Sequence, residues 1–416
     1  MRGLAIEQSN AQKRGFQLRS HCGPNTQGKQ REPLITRGIP RVFCLVCDQL
    51  FGRNTVRLRP WKSPHFSGLE IASVRYRFID FLMEKFFMRI LRFISAALIT
   101  CVGVLQSAQA ITPMPSPMPT KEVITIGYVK VGQVSPLHLV EEDLKKMNIE
   151  VKRAEFVRYA DARTSLLSNS VDVSVVGPAD LAIAASQGSK NIVGLSGVAS
   201  SPKYLVVRKG VTINTWDDLK GKKIAVAPGS AVWFAWAMTL VENNIPYNTF
   251  TAVNIQGGGT AFVQALKRGD IDAMLSWEPF ESQVVAEGAA YFATNLVDYS
   301  KSKAVGQELG LLAASGEAYS KRREVIKRFM WAYLNAEAKL AADSNAFINT
   351  YSQFTGLPLE ITRESHKLIK LGGVLDKAQV SRLAEASFKQ GVIQTDVTKA
   401  AADLYDDSLA KEIRGR

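Results

Sequence analysis

The sequence predicts an α/β protein of two similarly built lobes with a ligand cleft between them. Short β-rich runs alternate with helical stretches from residue 121 onward. Val171–Val176 is a valine-rich, mainly apolar run, the signature of a strand buried on both faces of a parallel sheet. The third observation is an internal echo at a spacing of 100 residues.

The elements follow in order. Val123–Tyr128 reads as a strand. Leu137–Met147 reads as a helix, with Leu137, Val140, Leu144 and Met147 on one face. Ile149–Phe156 is a second strand and Ala160–Ser168 a second helix. The run 121–129 then aligns with 221–229, placing Ile124 on Ile224 and Ile126 on Val226. The run 166–176 aligns with 266–276, placing Leu166 on Leu266, Val171 on Ile271 and Asp172 on Asp272. Two matches in one register predict two lobes of like topology. Far along the chain, Arg323–Ala341 reads as a long helix.

The first 110 residues are different in kind. The chain of 416 residues carries a net charge of +14, of which 1–87 holds +9 and 88–110 holds +2. That leaves +3 for 111–416, too little for a general phosphate-binding face, so nucleic acid is not an expected partner. All four cysteines, Cys22, Cys44, Cys47 and Cys101, precede residue 111. The body is therefore expected to have no disulfide, no thiolate nucleophile and no Cys-bound metal. Cys44 and Cys47 form a lone C-x-x-C without a second pair.

Met88 opens a segment with Arg89 and Arg92, then a largely apolar run from Phe93 to Leu105, then Ala108-Gln109-Ala110. This is the layout of a secretory signal peptide cleaved after Ala110. The run is shorter than the ~20 residues that span a bilayer. A lipoprotein through Cys101 is the weaker reading, because Thr100 stands where a smaller residue is usual. Residues 1–87 read as a non-native or disordered extension, with translation starting at Met88 or Met83. Residues 111–120, with Pro113, Pro115, Pro117 and Pro119, read as an extended tether, and the folded domain is expected to begin near Lys121.

Ligands of open parallel sheets sit beyond the carboxyl ends of the strands. The loops 130–137, 158–161, 177–180, 196–201, 228–233, 256–260 and 276–280 are thus expected at the cleft. Gly177-Pro178-Ala179-Asp180 and Pro228-Gly229-Ser230-Ala231 each open a helix whose N-terminus favours an anionic group. Trp277-Glu278-Pro279 sets an aromatic face beside a carboxylate, and Trp233 and Trp236 lie near a helix start. Gly257-Gly258-Gly259-Thr260 lacks the Lys-Ser/Thr ending of a nucleotide-hydrolysing phosphate loop. His138 and His366 are the only histidines of the body, and Gly194-Leu195-Ser196-Gly197 is not a nucleophile elbow. Neither a metal centre nor a catalytic group is expected.

These residues carry a resemblance. Gly127-Tyr128, Val171-Asp172, Gly177-Pro178-Ala179-Asp180, the run Trp216-Asp217-Asp218-Leu219-Lys220-Gly221-Lys222-Lys223 with Gly229-Ser230, and Gly269-Asp270-Ile271-Asp272-Ala273 with Trp277-Glu278-Pro279 are similar to motifs of ABC-transporter solute-binding proteins of the nitrate/sulfonate/taurine type. The resemblance spans roughly 121–340. It implies a periplasmic-binding-protein-like fold of type II, with two crossover segments near Leu205–Lys209 and Leu309–Ala314. Lobe 1 would be 121–207 plus 312–416, and lobe 2 would be 208–311. The pocket would draw on Val134, Ser135, Arg158, Ala179, Asp180, Gly229, Ser230, Ala231, Trp233, Trp277 and Glu278. Arg158 would pair an anion and Glu278 an ammonium, which together suit a taurine-like zwitterion.

The function implied is capture of a small polar or anionic solute and its delivery to an ABC permease in the inner membrane, by a periplasmic monomer without a cofactor. An enzyme on the same fold, such as a thiamine-pyrimidine precursor synthase, is the alternative. It would need a cysteine-rich motif that the body lacks. The effector domain of a transcription regulator would need a helix-turn-helix upstream, where a signal peptide stands instead.

Overall fold

The strands form two five-stranded sheets with the same connectivity. A computed structural model describes residues 111–416, apart from Gly229, Gln256, Val374 and Arg416. The segment expected to be an export signal, the extension before it and all four cysteines lie outside the described residues.

The first sheet contains β1 (Glu122–Val129), β2 (Ile149–Phe156), β3 (Val173–Val176) and β4 (Ile192–Gly197). A short β5 (Ala199–Ser200) follows. The second sheet contains β6 (Val206–Arg208), β7 (Lys223–Val226), β8 (Thr251–Asn254), β9 (Ala273–Met274) and β10 (Ala290–Phe292). β11 (Leu311–Ser315) returns to the first sheet, and β12 (Lys370–Leu371) pairs with β5.

The orders are β2-β1-β3-β11-β4 and, read from the other edge, β8-β7-β9-β6-β10. In each, the second strand is parallel to both its neighbours. In each, the fourth strand is antiparallel to both of its own. The 100-residue echo is therefore a repeat of topology. Every residue of β3 and β11 is buried, which accounts for their mainly apolar sequences, with Ser174 and Ser315 as the small polar exceptions.

Helices cover the sheets. They are α1 (Val140–Lys146), α2 (Tyr159–Leu167), α3 (Asp180–Ser186), α4 (Ala231–Glu242), α5 (Gly258–Arg268) and α6 (Phe280–Ala286). After β11 come α7 (Gly316–Lys321), α8 (Arg323–Ala342), α9 (Ser344–Thr355), α10 (Leu359–His366), α11 (Lys377–Lys389), α12 (Thr398–Asp403) and α13 (Ser408–Ile413). The helix expected from Leu137 divides in two, because Pro136 sits inside a 3-10 turn over Gly132–His138 and α1 starts after it. α8 buries Val325, Ile326, Phe329, Met330, Tyr333 and Leu334, a 3/4-spaced face. α4 is capped by Ser230, whose side chain accepts from the Trp233 amide. α5 ends on Gly269, held at φ +81°, where a side chain would be strained.

Two expected boundaries move. Residues 206–208 are already a strand of the second sheet, and 311–315 are a strand of the first. The chain therefore crosses between Ser200 and Val206 and returns between Phe292 and Leu311. Crossovers carry irregular backbone, whereas the apolar runs at 206–208 and 311–315 are claimed by the sheets.

The Pro-rich segment is held to the body rather than free. Thr112 N–H donates to the Ile413 carbonyl at 2.9 Å, and Trp331 Nε1 donates to the Thr112 carbonyl at 2.7 Å. Arg328 Nε reaches the Ser116 carbonyl at 2.9 Å, and Met118 N–H reaches the Met147 carbonyl at 3.0 Å. Proline leaves the intervening groups without internal partners, so the body supplies them. The ordered structure thus begins before Lys121.

Candidate functional site

A cavity of about 230 Å³ lies between the two sheets. Its wall is drawn from the segments that follow β1, β2 and β3 in one lobe and β7, β8 and β9 in the other. All six are the parallel strands, and parallel strands bring their carboxyl ends to one edge. Of the seven expected loops only 196–201 is missing from the wall, because it leads into β5 and its pairing with β12.

From the first lobe come Val129 and Val131, then Gln133, Tyr159, Arg163 and Asp180. Gln133 Nε2 donates to the Tyr159 hydroxyl at 3.1 Å. Arg163 donates to the Asp180 carboxylate, which also accepts the Gly177 amide at 2.7 Å. Burial raises the Asp180 carboxyl, with Arg163 and the Gly177 amide opposing. Burial likewise pushes the Tyr159 hydroxyl up, so it stays neutral.

From the second lobe come Ser230, Ala231 and Val232 at the start of α4, Phe262 of α5 and Trp277 after β9. The rings of Phe262 and Trp277 stand 5.9 Å apart. The first amides of α4 have no carbonyl within their own helix to meet, and the helix dipole adds positive potential there. The lobes meet beside the cavity at Val157 and Gly258. A Cβ on Gly258 would lie 3.0 Å from Val157 Cγ1, and its φ of +70° independently favours glycine.

Arg158, Asp180, Ser230, Ala231 and Trp277 of the expected set thus come together on the wall. Arg158 also carries a two-pronged contact to Asp161 at 3.1 and 2.8 Å. Gly229 lies outside the described residues.

The other expected residues stand elsewhere. Val134 and Ser135 are fully buried inside the first lobe, where Ser135 Oγ donates to the Gly132 carbonyl at 2.7 Å. The tight 3-10 turn aims Gln133 at the cavity in their place. Ala179 is buried behind the wall. Trp233 points off the far side of α4, with Nε1 donating to the Tyr247 hydroxyl at 2.8 Å. Glu278 is wholly buried and turned from the cavity, its Oε1 accepting from Ser282 Oγ at 2.9 Å. The pairing of Arg158 with an anion and Glu278 with an ammonium in one ligand therefore has no geometric basis. Trp277 and Glu278, adjacent in sequence, face different environments.

Gln133 and Tyr159 lie in loops expected at the cleft without being singled out there, whereas Arg163 and Phe262 lie outside those loops. Arg163 lies within a predicted helix, and only the tertiary contact with Asp180 marks it out. Among the described residues no group of three or more His, Cys, Asp or Glu could hold a metal ion.

Known proteins are similar to this chain in sequence and fold. The NMT1/THI5-like family model matches residues 144–346. A Bacillus subtilis (strain 168) protein named for binding aliphatic sulfonates is 29% identical over 157 residues, 37% of this chain and 46% of that protein. The match thus spans about half of that relative's length. The alkanesulfonate-binding protein of Xanthomonas axonopodis pv. citri, solved with MOPS, superposes with a TM-score of 0.59 at 20% identity, covering 70% of this chain and 99% of that one. The fold is that of a periplasmic binding protein. The periplasmic nitrate-binding protein of Synechocystis PCC 6803 has the same fold, with a TM-score of 0.58 at 13% identity over 72% of this chain and 90% of its own. The chain resembles ABC solute-binding proteins of the sulfonate and nitrate type in family match, curated relative and fold alike. These relatives are named as binding proteins, not as enzymes. In this periplasmic-binding-protein fold, the cavity occupies the space between the lobes.

Proposed function

We propose that the protein is the extracytoplasmic solute-binding component of an ABC importer, capturing a small sulfonate-like solute by lobe closure. The observation that carries this reading is a cavity walled by both lobes at the ends of all six parallel strands. A ligand touching both walls favours the closed arrangement, the form that a permease can recognise. The start of α4, with Ser230 and the Ala231 and Val232 amides, suits an oxyanion head. Val129, Val131, Phe262 and Trp277 suit an alkyl or aryl body. Export by the segment 88–110 and action as a monomer beside an inner-membrane permease complete the reading. The names of the relatives support the same solute class.

A thermal-shift panel of alkyl and aryl sulfonates, taurine, nitrate, aromatic carboxylates and pyrimidines tests it. A solute present at 100 times its dissociation constant adds about 2.7 kcal/mol of stability. A higher melting temperature with sulfonates alone is expected. Folded protein with no response to any member would refute the sulfonate-like class.

A further inference from the structure

A second group of charged side chains lies where the two lobes are joined. Lys203 sits in the outgoing crossover and is buried, with Nζ 3.1 Å from Glu281 Oε2 of α6. Glu278, just before α6, is buried in the same group and is bound by Ser282 and by Ser365 of α10. Ser365 in turn meets the Tyr351 hydroxyl of α9 at 2.8 Å. The returning crossover supplies Asp298 and Tyr299. Asp298 Oδ1 accepts the Lys203 amide at 2.9 Å, and the Tyr299 amide donates to the Lys203 carbonyl at 2.9 Å. The two crossovers are thus bonded to each other at Lys203, and a relative rotation of the lobes must be absorbed in these segments.

The charges in this group do not balance. Among the described residues, Lys203 pairs directly with Glu281 and acts on Glu278 through space, both carboxylates being shut away from water, while Asp298 is committed to the Ser300 amide and hydroxyl, to Lys203 N–H and to Lys301. Tyr299 and Tyr351 are phenols that burial keeps neutral. Among the described residues, Glu281 Oε1 and the Tyr299 hydroxyl have no hydrogen-bond partner. Two desolvated carboxylates beside one cation keep a proton between them, because the second negative charge has neither solvent nor counter-ion.

We propose that this Lys203–Glu278–Glu281 group is a proton-linked hinge: the closed lobes hold a carboxyl proton that the opened, hydrated hinge releases. The proposal rests on the solute-binding reading only in taking closure as the working motion. Burial, with Glu278 adding and Lys203 opposing, pushes the Glu281 carboxyl up to about 8. Burial also raises Glu278, against Lys203, Ser365 and Ser282. An acid whose pKa is raised in the closed form favours closure at low pH. That preference declines from the ordinary carboxylate range up to about pH 8 and changes no further above it. One proton limits the response to about tenfold in the open/closed ratio per pH unit.

Small-angle scattering of the ligand-free full chain between pH 6 and pH 9 tests the hinge. The expected result is a radius of gyration that grows with pH in the wild type. It should stay constant with pH in Glu281→Gln and in the triple variant K203M/E278Q/E281L, which removes every titrating group of the cluster and guards against a misfolded single variant. A wild type without pH response, or variants that respond as the wild type does, would overturn the hinge. Because no solute is present, either failure leaves the solute-binding reading to be judged by its own panel.

Discussion

Asp172 and Asp272 make the same set of bonds in the two lobes. Asp172 Oδ2 accepts the Thr125 amide at 2.7 Å, and Asp272 Oδ2 accepts the Lys223 amide at 3.0 Å. Each pins the first parallel strand of its sheet to the third. Each also receives an arginine: Arg322, at the end of α7 after β11, at 2.8 Å, and Arg208, the last residue of β6, at 3.0 Å. The aspartates are structural clamps of a repeated unit, which explains why both survive in the 100-residue echo.

Replacing either clamp should destabilise the protein without touching the cavity. Asp172→Asn and Asp272→Asn are each expected to cost about 1–3 kcal/mol, read from denaturant unfolding. Burial raises the Asp272 carboxyl, but the Lys223 amide and Arg208 outweigh it and hold the group below its usual range. Its contribution is therefore present above the ordinary Asp value of about 3.9 and is lost as pH falls through the lower folded value. Wild type should lose stability in that acid window faster than Asp272→Asn. Equal acid sensitivity would remove Asp272 from this role.

Ser230→Ala should act on both stability and capture. Loss of the cap on α4 is expected to cost about 1 kcal/mol in thermal unfolding. If an oxyanion head docks there, affinity for the solute identified by the panel should also fall, by about tenfold for 1.4 kcal/mol. Calorimetry showing unchanged affinity would move the head group elsewhere in the cavity.

The Arg163–Asp180 pair should be costly to break and cheap to replace. Arg163→Met alone leaves a buried carboxylate unpaired and is expected to cost about 3–5 kcal/mol. The double change R163M/D180L should recover most of that. A double-mutant cycle with additive losses would show that the two side chains act independently.

Trp331→Phe should loosen the strap at 111–119. The change removes the donor to the Thr112 carbonyl while keeping most of the buried ring. Faster limited proteolysis within 111–119, with a stability loss of about 1 kcal/mol, is expected. Cleavage at the wild-type rate would mean that Arg328 and Met118 hold the strap without it.

Strand positions were legible because their signals are local. Ile149–Phe156 lies in the structure where its pattern places it, and Val173–Val176, within the expected 171–176 run, is the buried central strand. The loops at the cleft were legible too, since a parallel strand dictates which of its ends carries the ligand. The choice of side chain within each loop was not. Val134 and Gln133 are neighbours, and only the winding of a 3-10 turn decides that Gln133 faces the cavity. Trp233 looked like a wall and instead caps a surface contact with Tyr247.

The sequence by itself determined the two-lobed α/β arrangement, the repeat and the set of loops that meet at the cleft. Those follow from periodicity and strand direction, which a few consecutive residues express. Only the tertiary structure decided the charge pairs. Arg163 and Asp180 are 17 residues apart, and Lys203 and Glu281 are 78 apart. No periodicity links such positions; the packing of the lobes and crossovers excludes water from them, and that exclusion makes each charge depend on its partner.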